Sequence, residues 1–214
     1  MSGARLIFVT IGVLIAAFGV WRYLPRALLY IFPGRVSGWL DENDQFRFEA
    51  RENAEPVIES LSLLGFTPLG IQKEKLMLWA RALKVLILTG PGAEIACVIA
   101  TKKNVMWYFE TLFEDGAMVI TAGSGFKPVN RDGLYQSVPE DLDEAGLLAR
   151  HRENVAAHVK EGHPPIRKYP PEVVAGSTRA YYSFPVVRHG MRTYGSMNAV
   201  PLVVFFIPLL VAVF

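Results

Sequence analysis

A single cysteine, Cys97, in 214 residues rules out an internal disulfide and leaves no thiolate set for a zinc site or a CxxC redox pair. It sits in the apolar run Ile95–Ala100, where a lone cysteine serves as a small buried hydrophobe. The lack of disulfides fits a reducing, cytoplasmic setting for this part of the chain. A concentrated basic face is missing too: the net charge is only +2, which argues against a nucleic-acid partner. Gly123–Gly133, GSGFKPVNRDG, lacks both the GxxxxGK[ST] pattern and the third glycine of GxGxxG, so it is a loop and not a phosphate cradle. No repeat with a period of about 20–50 residues is present, which excludes a solenoid.

The two ends of the chain lack charge. All the acids, and nearly all the bases, lie between 33 and 197. The hydrophobic fraction of 51% therefore has its excess at the ends, beyond what an ordinary soluble domain carries. Leu6–Leu24 is apolar except for Arg22 and is long enough, at about 1.5 Å per residue, to cross most of a hydrocarbon core. Trp21 and Tyr23 stand where an aromatic belt would lie, and Trp-Arg-Tyr-Leu-Pro-Arg is a poor cleavage site, so a retained anchor is expected and not a signal peptide. Pro25 is expected to break this helix, with Arg26–Phe32 lying along the headgroups or adding a further turn. The tail Ala199–Phe214, AVPLVVFFIPLLVAVF, reaches about 24 Å by itself and about 31 Å with Tyr194–Asn198 included. Pro201 and Pro208 each remove a backbone donor there, a loss best tolerated by a helix packed on other helices. Neither apolar segment holds a histidine, so neither offers such a ligand to a haem or chlorophyll, and neither holds a buried acid that would signal a proton path.

Arg22, Arg26 and Arg35 after the first span, and Arg188 and Arg192 before the second, orient the protein by the positive-inside bias. The middle domain is expected in the cytoplasm with both termini outside, in the inner (cytoplasmic) membrane. Segments 1–32, 33–163, 164–195 and 196–214 are then an N-terminal transmembrane helix with an interfacial piece, a cytoplasmic α+β domain, an extended membrane-proximal arm, and a C-terminal transmembrane helix.

Within the domain, Asn53 and Pro56 mark a helix start, Val57, Leu61 and Leu64 recur at helical spacing, and Gly65 with Pro68 ends the run. Leu69–Leu88 fits helix or strand equally. An antiparallel β meander follows over Glu94–Thr101, Val105–Phe113 and Ala117–Ala122, joined by short turns with Gly116 at the second. Trp107 and Phe109 lie on one face of the middle strand, Met106 and Tyr108 on the other, so cover is expected on both sides, from helices on one and a partner on the other. Ser137–Glu140 resembles a capping box opening a helix over 139–161, with Leu142, Leu148, Val155 and Val159 as its stripe. His151 and His158 are expected on its solvated face; with Glu153 and His163 they make a poor metal set, since a seven-residue spacing separates the rings by about 10 Å.

Pro164–Gly195 reads as irregular. Its basic residues Arg167, Lys168, Arg179, Arg188 and Arg192 face one acid, Glu172, which suits an anionic leaflet. Its aromatics Tyr169, Tyr181, Tyr182 and Phe184, together with Trp107, Tyr108 and Phe109, are expected partner contacts. Trp21, Tyr23, Arg22, Arg26, Arg188, Arg192, Pro201 and Pro208 are expected to anchor the chain in the bilayer. No catalytic or cofactor motif is present. The expectation is a non-catalytic accessory subunit of a multi-subunit membrane complex, of the kind common in respiratory or photosynthetic assemblies, with the lipid bilayer and other membrane subunits as partners. The alternative is a stand-alone membrane-anchored enzyme or ligand-binding domain, for which no convergent polar site is visible in the sequence.

Overall fold

The computed structural model describes residues 3–32, 37–41, 51–75, 83–101, 104–123 and 126–207. They form an α+β protein in two compact units, one helical and one built on a mixed sheet.

The helical unit contains α1 (Gly3–Ile31) and α5 (Pro185–Pro201), the latter running on into a π-helical turn, Leu202–Phe206. Pro25 does not break α1, contrary to the sequence expectation: proline forfeits one hydrogen bond, and the remaining bonds on both sides carry the helix through. Arg26–Ile31 is thus more of the same helix. The two helices run antiparallel, because Gly195 meets the backbone of Tyr30 while Gly19 lies under the ring of Phe206. A Cβ at Gly195 would stand 2.3 Å from the Tyr30 nitrogen, so the close approach needs glycine. Tyr23 stacks on Phe206 with centroids 5.7 Å apart. Ala16, Gly19, Tyr23 and Tyr30 thus trace the stripe along which α1 meets its partner.

In the sheet unit, β1 (Ser37–Asp41) is followed by α2 (Arg51–Leu63), β2 (Thr67–Lys75), β3 (Leu83–Thr89), β4 (Ile95–Ala100), β5 (Val105–Leu112) and β6 (Met118–Ala122). Next come the short β7 (Val129–Arg131) and β8 (Leu134–Ser137), then α3 (Glu144–Lys160) and α4 (Pro171–Ser183). The strand order is β1-β2-β3-β4-β5-β6-β8-β7, antiparallel throughout except for the β6–β8 pair. The ambiguous stretch from 69 to 88 resolves as strand on both sides of residues 76–82, which lie outside the described set. Gly65 takes φ +89° just past α2 and Gly116 φ +86° in the β5–β6 turn, as the sequence suggests.

Side-chain alternation gives the sheet two different faces. Ile71, Leu86, Leu88, Val98 and Phe109 form the main core with Val57 and Leu61 of α2 and Leu147 and Leu148 of α3. The opposite face presents Gln72, Glu74, Cys97, Tyr108 and Glu110 to α4. After α3 the chain reaches α4 along the end of β5: the Glu114 amide donates to the Pro164 carbonyl (3.0 Å) and the Ile166 amide to the Leu112 carbonyl (2.8 Å).

Three sequence expectations give way here. The helix over 139–161 begins at Glu144, capped by Asp143, whose carboxylate accepts from the Gly146 amide at 2.8 Å; Ser137 ends β8 instead. Its buried residues are Leu147, Leu148 and His151, while Leu142 and Val159 are exposed. The stretch 164–195 is no extended arm beyond Pro170. Pro171 and Pro185 each occupy the first turn of a helix, where a missing N–H costs nothing, and Phe184 between α4 and α5 keeps the extended ψ of 135° that a following proline demands.

Candidate functional site

α4 turns an unusual stripe inward. Val174, Ser177 and Thr178 are buried and Tyr181 and Tyr182 half-buried, at the i, i+3, i+4, i+7, i+8 spacing of a core-facing helix, yet four of the five carry hydroxyls. Buried hydroxyls need partners, and the sheet supplies carboxylates. Between them lies a partly enclosed cavity of about 190 Å³.

Two glutamates line it. Glu74 accepts from the Thr178 hydroxyl at 3.0 Å and from the Gln72 side-chain amide at 3.2 Å, both on Oε1. Burial raises its carboxyl above the ordinary range, against those two hydrogen bonds. Glu110 is set in β5 between apolar neighbours and is 5% exposed. Burial pushes its carboxyl up to about 7; the Ser177 hydroxyl beside it works the other way, and the charge of Glu74 adds to the rise. Of the buried polar atoms that lack a hydrogen-bond partner among the described residues, Glu110 Oε1 and Gln72 Oε1 belong to side chains lining this cavity, and those of Trp107, Gln136 and His158 do not. Among the described residues no lysine, arginine or histidine lines it.

The remaining wall is aromatic and apolar. Tyr108 pairs directly across the sheet with Cys97 and packs edge-on to Phe126, centroids 5.1 Å apart. Tyr181 and Tyr182 of α4 meet edge to face at 5.1 Å. Burial holds the Cys97 thiol and the Tyr108 phenol well above their usual values, so Cys97 is a protonated, unreactive thiol, in keeping with the small buried hydrophobe expected from the sequence. The arrangement offers hydrogen-bond acceptors and negative charge among π faces, with no activated nucleophile.

The other face carries a polar network of a different kind. His151, expected on a solvated face, is wholly buried. Thr111 donates its one hydroxyl proton to the Ala93 carbonyl (2.9 Å), so toward His151 Nε2 at 2.9 Å it accepts, and the imidazole proton is on Nε2. Nδ1 then accepts from the Thr121 hydroxyl at 3.0 Å. Thr121 Oγ1 in turn lies within reach of the Asn154 side-chain amide (3.2 Å) and the Ser137 hydroxyl (3.3 Å). Burial, with the Arg152 charge adding to it, lowers the imidazole to about 3, so the ring stays neutral and its two nitrogens are both used. His158 donates from Nδ1 to the Asn154 carbonyl at 2.8 Å, His163 pairs with Asp115, and Glu153 pairs with Arg150 at 2.9 Å. Among the described residues no three His, Cys, Asp or Glu side chains converge as a metal site.

The expected partner-contact residues lie largely inside the fold. Trp107 and Phe109 pack under α2 and α3; Tyr108, Tyr181 and Tyr182 line the cavity. The Tyr169 hydroxyl pins the turn toward α4, accepting from the Leu112 amide (3.2 Å) and donating to the Ala93 carbonyl (2.8 Å). Phe184 is buried. The second cover on β5, expected from a partner, comes from the chain's own α4. Of the expected anchoring residues, Trp21, Arg22, Arg188 and Arg192 are exposed, Tyr23, Arg26 and Pro201 are half-buried, and Pro208 lies outside the described residues. Glu74 and Glu110 were not singled out from the sequence; for Glu110 the available signal was a lone carboxylate in the largely apolar run VMWYFETLF, whereas Glu74, between Lys73 and Lys75, carries no such signal.

One helix among the described residues, Val9–Ile31, is long and apolar enough to cross a membrane. Comparison of the chain with protein-family models, with curated proteins and with solved structures finds no match.

Proposed function

We propose that the chain is a non-catalytic subunit of a larger membrane assembly, held in the bilayer by α1 and by the C-terminal tail, with the α+β unit between them in the cytoplasm. One observation carries this. After α1 and α5 have packed, the side chains left outside are still apolar: Ile11, Leu14, Phe18 and Trp21 on α1, and Val200, Val203 and Phe205 on the other helix. Water would penalise every one of them, whereas lipid tails or partner helices would not. The polar side chains of the second helix suit the same solvent, since Thr193, Ser196 and Asn198 each donate back to a backbone carbonyl (3.0, 2.8 and 2.7 Å). Nothing in the chain singles out a respiratory or photosynthetic host, so the proposal stops at the assembly.

The test is extraction in a mild detergent followed by native electrophoresis. Migration well above the 23.8 kDa chain, with other subunits in the band, is expected. A lone species would sink the proposal. Gly195→Leu, which drives side-chain atoms into the Tyr30 backbone, is expected to reduce the yield of that band.

A second reading, a membrane-anchored ligand-binding domain, is favoured by the partly enclosed cavity beneath α4.

A further inference from the structure

We propose that the cavity between α4 and the sheet binds a small organic cation, an alkylammonium of a few carbons, with Glu110 as its principal counter-ion. This rests on the ligand-binding reading and names its ligand class. The unpartnered acceptors Glu110 Oε1 and Gln72 Oε1 belong to side chains 5% and 2% exposed, and both line the same space. A buried acceptor without a donor is costly, so the missing complement is a donor-bearing group. Glu74 and Glu110 make the site acidic and no basic side chain among the described residues lining it offsets them, so a positively charged complement fits. The rest of the lining distinguishes an organic cation from a metal ion. Tyr108, Tyr181 and Tyr182 offer ring faces, and Ile87, Ile99 and Ile120 offer apolar wall, which suit an alkyl chain and a cation–π contact. A hard metal ion would instead want a shell of several oxygens. A partly enclosed cavity of about 190 Å³ accommodates a short alkylammonium.

Protonation is coupled to this. The titratable groups facing Glu110 are Glu74 from β2, Cys97 from β4, Tyr108 on its own strand, and Tyr181 and Tyr182 from α4. Burial, with the charge of Glu74 adding to it and the Ser177 hydroxyl opposing, favours a protonated Glu110 when no cation is bound, and an entering ammonium displaces that proton to solvent while the carboxylate takes its place as partner. No bond beyond the O–H is broken.

The test is isothermal titration calorimetry of the full chain in lipid nanodiscs at pH 7, with n-propylammonium chloride against the neutral isostere n-propanol, in two buffers of different ionisation heat. Saturable binding of n-propylammonium is expected, with heat that depends on the buffer because a proton is released, and at least about tenfold weaker binding of n-propanol. Glu110→Gln is expected to weaken n-propylammonium at least about tenfold and to abolish the buffer dependence. Equal binding of n-propanol and n-propylammonium would overturn the cation assignment and leave the ligand-binding reading standing. Binding of neither would overturn both. The isostere comparison needs no variant, so it decides the matter even if Glu110→Gln misfolds.

Discussion

The two faces of one sheet bury polar groups in opposite ways. On the α3 face, Thr111, His151, Thr121, Asn154 and Ser137 form a chain in which each proton has an assigned acceptor and the imidazole stays neutral. On the α4 face, Glu74 and Glu110 sit beside a partly enclosed space with acceptors left over. A buried polar group that is fully satisfied stiffens and specifies a core, whereas one left short of a partner is a debt that folding alone does not clear. Burial is common to both faces, and Trp107 Nε1 and His158 Nε2 on the α3 side also lack partners; what sets the α4 face apart is that its two unpartnered acceptors line one cavity.

The largest way to test the contrast is His151→Ala. It removes a wholly buried ring and strands the Thr121 hydroxyl, and a loss of about 3–5 kcal/mol is expected in the denaturant unfolding midpoint. Glu110→Gln is expected to act with the opposite sign at alkaline pH. The folded carboxyl holds its proton to about pH 7, against 4.5 for a glutamate in the unfolded chain, so the folded state binds the extra proton between those values. Stability from this group is therefore present below pH 4.5 and lost as pH rises through 7, for up to about 3 kcal/mol. The variant is expected to match the parent near pH 4.5 and to unfold at higher denaturant at pH 8.

His151 runs the other way: its folded value is depressed to about 3, so stability is lost as pH falls from 6.5 through 3. Between pH 4.5 and 6.5 the two slopes oppose, and a broad maximum is expected there in a plot of unfolding free energy against pH. The smallest effect is that of Thr178→Val, which removes one donor from Glu74. It is expected to cost about 1 kcal/mol and to extend the loss of stability with rising pH, because Glu74 is raised further.

The same contrast explains what could be read from the chain beforehand. The meander was legible because its strands are apolar and its turns short, and α2 because Gly65 and Pro68 punctuate it. α4 was not. Its inward stripe is Ser, Thr and Tyr, so a pattern built on apolar residues passes over it, and Pro170-Pro171 looks like an interruption when it is a helix start. Glu74 and Glu110 come together with Ser177 and Thr178 only through four strands and a helix of distant sequence, so no local spacing announces the cavity. His151 is expected in solvent because it is polar, yet it lies three residues after Leu148 and four before Val155, on the stripe's own face, and that spacing is the signal of its burial.

The most direct measurement is the protonation of Glu110 itself, by infrared difference spectroscopy of the carboxylic C=O band in the full chain, assigned by its disappearance in Glu110→Gln. A titration midpoint near pH 7 is expected, moving to lower pH when n-propylammonium is added. A midpoint in the ordinary glutamate range, unmoved by the ammonium, would show that Glu110 is as well satisfied as His151 and would contradict the distinction between the two sites.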